Sequence, residues 1–558
     1  MVLELTSSKF LDLPPELLLL VLGQLDEADL CALGCTCKDL NALVFPYFFD
    51  QYGPKGSLRG WISCYSPPKH GLRAIRCCLS IKNIKSIQYH FSQDIGTLVG
   101  EVKELHAIVK RLEVKDLELC LTDPGRWVAD DFGRTASSLS VLTTSEWTKL
   151  YTGLLTTSLT RGCKRVELSG GHEFFRCLRK LERKPKASIG ARSSREPAPR
   201  YFDESSSTAQ RRSREIPDLA HVGRKLEAPN PKLEKLTLAS DMLLSNTMFL
   251  DWTIQVFSWC APTLTHLELQ CCAISSETWH YFFSEINLPS LYHFRVANEE
   301  AMVQLSDILP FLSRHPSIRT LLLLDGIYLP PSPSSLLPKP ILPSLEQVVA
   351  YPVYLQWLLR DKNQCPELKE ITLLTGFWHG LSRPTSYRLV DKALETLLLP
   401  RSHKLDTIGL RLTQAYCGLD AWLQSHIDNF AAGVHNAQSS LFVTSKHILP
   451  RFVHTKHLRI DSMSYVDIIG SSDSQFSSRT QTGPSRLELV ARFAGSFPNL
   501  EYLELLDTST NADSFRPRVV DAIRQHCPQV KKLKFGRAAA IHIDQYGQSG
   551  SGNVVNVG

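Results

Sequence analysis

Long apolar runs are missing from this sequence. Near the start the longest, Leu17 to Leu22, has six residues, against the roughly 20 that a membrane-spanning helix needs. No membrane partner is expected. The opening MVLELTSSKF lacks a basic flank and a small-residue cleavage site, so it does not read as a signal peptide. Cysteine is too sparse for a disulfide scaffold: 15 in 558 residues, an odd total with several adjacent or near-adjacent pairs, which fits a reduced compartment, cytoplasm and/or nucleus. Cys31, Cys35 and Cys37 lack the CxxC pairing and distant second pair of a zinc site, and they are read as small buried side chains. Cys365 and Cys527 fall at helix ends before Pro, where nothing stabilises a thiolate. GxSxG, HExxH, GxGxxG after a strand and GxxxxGK[ST] are all absent. The expectation is no catalytic residue, no metal and no cofactor.

Excess charge is almost confined to one segment. Arg179 to Glu215 carries eleven Lys or Arg and five Asp or Glu, a balance of +6 that equals the formal charge of the whole chain. The segment is rich in Ser, Arg and Pro without helix or strand periodicity, so it is read as a disordered insertion rather than a nucleic-acid contact. Two further stretches, Pro330 to Pro340 and Gly470 to Ser485, read as loops.

What the sequence does have begins with LDLPPELLLLVLGQLDEADLCALGCTCKDLNALVFPYFF, which reads as three short helices. Pro14 and Pro15 suit a first helical turn, Asp26 can cap a second helix, and Thr36 with Asp39 suggests a third start. Gly23 and Gly34 supply stops. Leu17, Leu18, Val21, Leu22 and Leu25 recur at helical spacing, and so short a module has more apolar surface than it can bury alone. The stretch resembles the F-box. Leu13, Pro14, Glu16 and Leu17 match the family's opening, Val21 and Leu22 its hydrophobic pair, Leu25 the following Leu, Asp29 and Leu30 its Asp-Leu pair, and Cys37 and Lys38 its end. Thr36 stands where Val is commoner, and the usual Trp near the third helix is absent. The resemblance implies docking on the SKP adaptor of a cullin-RING ubiquitin ligase, with Leu13, Pro14, Leu17, Val21, Leu25 and Leu30 as adaptor contacts or the core that shapes them.

The rest of the chain repeats. Pro followed by apolar residues at offsets two, five and seven recurs at Pro231, Pro262, Pro289, Pro316, Pro343, Pro366, Pro498 and Pro528. The first six starts are 31, 27, 27, 27 and 23 residues apart, a leucine-rich-repeat spacing. Weaker copies begin at His403 and Val453, and earlier ones hold Ile84, Ile87 and Tyr89; Val114, Leu117 and Leu119; and Cys163, Val166 and Leu168. From Arg161 to Pro231 the gap is 70 residues, and without the 37-residue basic segment it is 33, one repeat. The insertion therefore interrupts a continuous array. Each copy predicts a short strand with one buried face, returned by a helix such as those before Pro316, Pro366 and Pro528. This part resembles the leucine-rich repeats that follow many F-boxes, without their Asn ladder: Asp241, Cys272, Glu299 and Gly326 occupy equivalent positions.

Residues between the buried ones point away from the core. By the resemblance they line a concave face: Lys235 and Thr237, His266 and Glu268, His293 and Arg295, Thr320 and Leu322, Gln347 and Val349, Glu370 and Thr372, then His457 and Arg459, Tyr502 and Glu504, Lys532 and Lys534. The row implies no single charge class of ligand. Leu322 and Val349 are expected to expose apolar area suited to a protein partner, unless irregular repeats turn them inward. The expected binding stretch runs from His266 to Thr372.

The fold class expected is α/β: a short all-helical F-box module at 10–50, divergent repeats at 51–178, a disordered insertion at 179–217, a leucine-rich-repeat solenoid at 218–540 and a flexible tail at 541–558. The implied role is the substrate-recognition subunit of an SCF-type ligase, positioning an unknown protein substrate near a conjugating enzyme brought by cullin and RING subunits. An adaptor-bound scaffold that delivers no substrate is the alternative, and an α/β hydrolase lacking a recognisable motif a third.

Overall fold

The computed structural model describes residues 13–54, 56–65, 70–92, 95–121, 143–171, 231–245, 247–270, 274–297, 303–324, 327–328, 342–359, 364–375, 387–398, 405–413, 419–427, 448–463, 484–507, 512–536 and 539–543. The basic insertion, the stretches 330–340 and 470–483, and Cys272, Glu299 and Gly326 lie outside them.

Three helices come first: α1 (Pro15–Leu22), α2 (Glu27–Gly34) and α3 (Lys38–Gln51). Pro14 is the N-cap of α1 with Pro15 in its first turn, and Asp26 Oδ1 accepts the Asp29 amide at 2.8 Å to start α2. The third start differs from expectation. Thr36 does not cap α3, because its hydroxyl donates back to the Leu33 carbonyl at 2.7 Å; Cys37 holds the N-cap position without a side-chain bond. Cys35 and Cys37 are also exposed rather than buried, since both sit at helix ends, and only Cys31 of the three faces the core.

Strands and helices then alternate. The first part runs β1 (Trp61–Cys64), α4 (Gly71–Cys77), β2 (Asn83–His90), α5 (Ile95–Arg111), β3 (Glu113–Leu121), α6 (Thr144–Thr160) and β4 (Arg165–Gly170). After the insertion come β5 (Lys235–Ala239), α7 (Met242–Ser245), α8 (Thr247–Cys260), β6 (His266–Leu269), α9 (Ser276–Glu285), β7 (His293–Val296), β8 (Val303–Gln304), α10 (Leu305–Arg314), β9 (Thr320–Leu323) and β10 (Ile327–Tyr328). The last part is β11 (Gln347–Ala350), α11 (Pro352–Leu358), β12 (Glu370–Leu374), α12 (Tyr387–Leu397), β13 (Thr407–Thr413), α13 (Leu419–Ile427), β14 (His457–Met463), α14 (Arg486–Gly495), β15 (Tyr502–Asp507), α15 (Ala512–His526), β16 (Lys532–Phe535) and β17 (Ile541–His542).

Fifteen strands form one sheet in chain order, β1 to β7, then β9 and β11 to β17, while β8 and β10 pair separately. Every junction in the large sheet is parallel except the last, where β17 runs antiparallel to β16. Each repeat read from the sequence falls on one of these strands. The expected tail differs at its start, where Ile541 and His542 pair with Leu533 and Lys532; residues 544–558 lie outside the described residues. Among the described strands, β1, the β8/β10 pair and β17 stand outside the repeat pattern of the sequence.

Parallel strands in monotonic order, joined by crossovers of the usual right hand, put the described return helices on the same side of the sheet. Consecutive helices pack there, α4 on α5, α5 on α6, α8 on α9, α9 on α10, α13 on α14 and α14 on α15. Their apolar stripes and the inward strand residues make a continuous core from Leu22 to Ile543. β4 and β5 are hydrogen-bonded neighbours, Arg165 opposite Lys235, so the long connection between them leaves the sheet unbroken.

Candidate functional site

Two surfaces stand out: the helical module, and the sheet face that carries no helices.

On α1, alternate sides of one short helix meet different surroundings. Leu18 and Leu22, four residues apart, are buried, whereas Leu17, Leu20 and Val21, at spacings of three and four, share the opposite side and are 47%, 66% and 39% exposed. Leu19 is also exposed. A helix that keeps this much apolar area in water in a folded chain has a face without an internal partner among the described residues. Pro14 is exposed, and Leu13 and Leu25 are half-buried at its ends. Leu30 is wholly buried, so of the two roles expected of it, it takes the core's, in α2 beneath the surface. That core is tight, since a Cβ on Gly34 would lie 2.9 Å from the Phe45 ring. Asn41 ties it to the end of α4, donating to the Gly34 and Cys77 carbonyls at 2.9 and 3.0 Å and accepting the Leu79 amide at 2.8 Å.

The free sheet face is built from two rows fixed by register. One row runs Ser86, Asp116, Arg165, Lys235, His266, His293, Thr320, Gln347, Glu370, Thr407, His457, Tyr502, Lys532; the other runs Gln88, Glu118, Glu167, Thr237, Glu268, Arg295, Leu322, Val349, Thr372, Gly409, Arg459, Glu504, Lys534. Neighbouring strands stand about 4.8 Å apart, so side chains along a row touch.

The expected binding residues are therefore brought together, but not equally accessible. His266, His293, Arg295, Thr320, Leu322, Gln347 and Glu370 are half-buried, whereas Glu268, Val349 and Thr372 are buried. The exposed patch expected of Val349 is corrected: it keeps outward register between Leu322 and Thr372, and these neighbours cover it. Leu322 packs against the same core and exposes only part of its side chain.

Two clusters on this face each gather several charges around one buried carboxylate. In the first, Glu268 pairs with Lys235 at 2.6 Å and Arg295 at 3.2 Å. Burial opposes its ionisation, but Lys235 and Arg295 outweigh burial and hold its carboxyl below the usual range. In the second, Glu504 pairs with Arg459 at 2.6 Å and Lys534 at 2.7 Å. Arg459 also reaches Glu370, two strands away, at 3.5 Å. Gly409 on the strand between permits this close packing: a Cβ there would lie 2.4 Å from Thr372 Oγ1. Burial holds His266, His293 and His457 below the ordinary imidazole value, leaving them neutral at pH 7.

Cysteine chemistry is muted. Burial pushes the thiols of Cys31, Cys163, Cys260 and Cys527 up to about 12 and that of Cys64 to about 11. Among the described residues no group of three or more His, Cys, Asp or Glu is placed to hold a metal ion, and no helix is long and apolar enough to cross a membrane.

Sequence reading named the face from Lys235 onward but missed Asp116, Glu118, Arg165 and Glu167, which hold the same register positions on β3 and β4. Extending the alternation rule to the weaker repeats would have found them.

No curated protein matches this chain. Among solved structures, the crystal structure of Rad7 and Elc1 complex in yeast is similar at 13% identity, covering 88% of this chain and 86% of that chain with a TM-score of 0.32. A family model described as F-box-like matches residues 10–49, so α1 to α3 form an F-box-like domain.

Proposed function

We propose that this chain is the substrate-recognition subunit of an SCF-type ubiquitin ligase. Its F-box-like domain docks the SKP adaptor and, through it, cullin and RING subunits. Its repeats form a leucine-rich-repeat solenoid whose free sheet face holds a protein substrate. The chain itself is non-catalytic: it holds substrate and conjugating enzyme together and raises the local concentration of the reacting groups. It works in the cytoplasm and/or nucleus. The observation that carries the reading is the exposed row Leu17, Leu20 and Val21 inside an F-box-like domain, an apolar helical face of the kind buried at the centre of stable interfaces. Leu13, Pro14 and Leu25 border that contact, and Leu30 supports it from beneath.

Replacing both Leu17 and Leu20 with Asp tests it. Binding to a purified SKP adaptor should fall by about a hundredfold, the scale of losing a central apolar hot spot, with no loss of thermal stability because both side chains face water in the free chain. Undiminished adaptor binding would refute the docking face. Affinity capture with the proteasome blocked then separates a substrate receptor from a scaffold: a partner held by the sheet face whose half-life lengthens when this chain is deleted marks a substrate, and unchanged partner lifetimes favour the scaffold.

A further inference from the structure

On the sheet face, near its first edge, lies a cavity of about 250 Å³ lined by Ser86, Asp116, Glu118, Arg165, Glu167, Lys235 and Thr237. Its charges are unbalanced. Arg165 lies 3.9 Å from Asp116, and Lys235 is paired with Glu268 at 2.6 Å. Glu118 and Glu167, opposite each other on β3 and β4, have no ion pair among the described residues. Glu118 is held in place by a polar chain: Ser63 and Tyr65 hydroxyls donate to Gln88 Oε1 at 3.1 and 3.2 Å, and Gln88 Nε2 donates to Glu118 Oε1 at 2.8 Å. Burial, then the charge of Glu118, push the Glu167 carboxyl above its ordinary value.

A second, independent feature points to a missing group. Thr237 follows Glu167 in the same row, is 3% exposed, and its hydroxyl has no hydrogen-bond partner. A buried hydroxyl left unsatisfied is destabilising, because its lost water is not replaced. Adjacent like charges on paired strands also destabilise.

We propose that this pocket is the anchor point for an arginine side chain of the bound protein partner, its guanidinium bridging the carboxylates of Glu118 and Glu167 and its fork also within reach of the Thr237 hydroxyl. The inference deepens the reading of this face as the partner-binding face and rests on it. A planar group with five donors meets two carboxylates carried opposite each other on neighbouring strands better than a single ammonium does. The cavity has room for one side chain rather than a domain, so specificity would come from this residue and affinity from the rest of the row.

The test uses the full-length protein and short immobilised peptides in which one position is fixed in turn as Arg, Lys or citrulline. Peptides selected by the protein should carry Arg at one position and lose about tenfold or more in affinity on replacement by citrulline, the neutral isostere. Glu118→Gln with Glu167→Gln should lose as much for the Arg peptide and nothing for the citrulline one. Thr237→Val should bind the Arg peptide more weakly while melting no lower than the parent, which separates a recognition role from a structural one. Equal binding of Arg and citrulline peptides, or an unaffected double variant, overturns the pocket. If selected peptides ignore that variant but are lost on Leu322→Arg, the face binds partners and only the arginine anchor fails. If no peptide is retained, or none responds to any substitution on the face, the reading of the face fails with it.

Discussion

Single residues in this chain carry demands that composition hides. His315 ends α10 with no exposed surface; its Nε2 accepts the Leu288 amide at 2.8 Å and its Nδ1 donates to the Phe311 carbonyl. Both contacts need the neutral ring, because a protonated Nε2 cannot accept. Burial, with Arg314 adding to it against the Phe311 bond, lowers its pKa below the ordinary 6.5. The unfolded chain therefore binds more protons than the folded one as pH falls below about 6.5, and stability that is complete above that pH declines through the acid range. His315→Gln should flatten this decline, leaving the part due to His106, His266, His293 and His457. Denaturant unfolding across pH 5–7.5 measures it, and an identical acid slope in both proteins would remove His315 from the account. Nothing in the sequence marks this histidine, since its two partners become neighbours only when the strand-helix units stack. The lone carboxylates Glu118 and Glu167 escaped sequence reading for a similar reason: charge balance on a sheet face depends on register.

At the scale of elements, most of the architecture was legible. The Pro-x-Leu pattern marks strands because a helix ends at the proline and alternation then buries every second residue. α1 and α2 follow from Pro15 and Asp26. α3 was legible only in outline, because Thr36 turned its hydroxyl back to Leu33. The joint between the helical domain and the sheet was not legible at all. It depends on Asn41, 5% exposed on α3, whose amide spans Gly34 on α2 and the end of α4. Asn41→Ala leaves two carbonyls and one amide without partners where water has little access, so it should cost about 3 kcal/mol. The denaturation midpoint reports this directly, and a change under about 0.5 kcal/mol would show that α1–α3 stand independently of α4. The same variant, assayed where it is still folded, should keep its adaptor affinity, since Asn41 is buried where α2, α3 and the end of α4 meet and is not part of the exposed side of α1.

Across the whole molecule, stability is shared between neighbouring strand-helix units, and the large interruption between β4 and β5 tests how far. The strands on either side pair through Arg165–Lys235 to Ser169–Ala239, and Leu155, Leu159 and Val166 meet Leu236, Leu243 and Phe257 around a shared apolar interior. These contacts come from the strands and from α6, α7 and α8, and none requires residues 179–217. The cost of closing a loop grows only with the logarithm of its length, so removing those 39 residues should change stability by less than about 1 kcal/mol. It should also keep unfolding cooperative, as expected where each unit is held by its neighbours. A split transition, or a drop of several kcal/mol, would mean that the segment supplies contacts to the sheet and that the β4–β5 junction is not self-sufficient. The deletion also removes eleven basic residues and a net charge of +6 from the connection that joins β4, the strand of Glu167, to β5. Tighter binding of the Arg peptide by the deletion variant at low salt, with the difference closing at high salt, would then show the chain's own positive charge competing for the carboxylates.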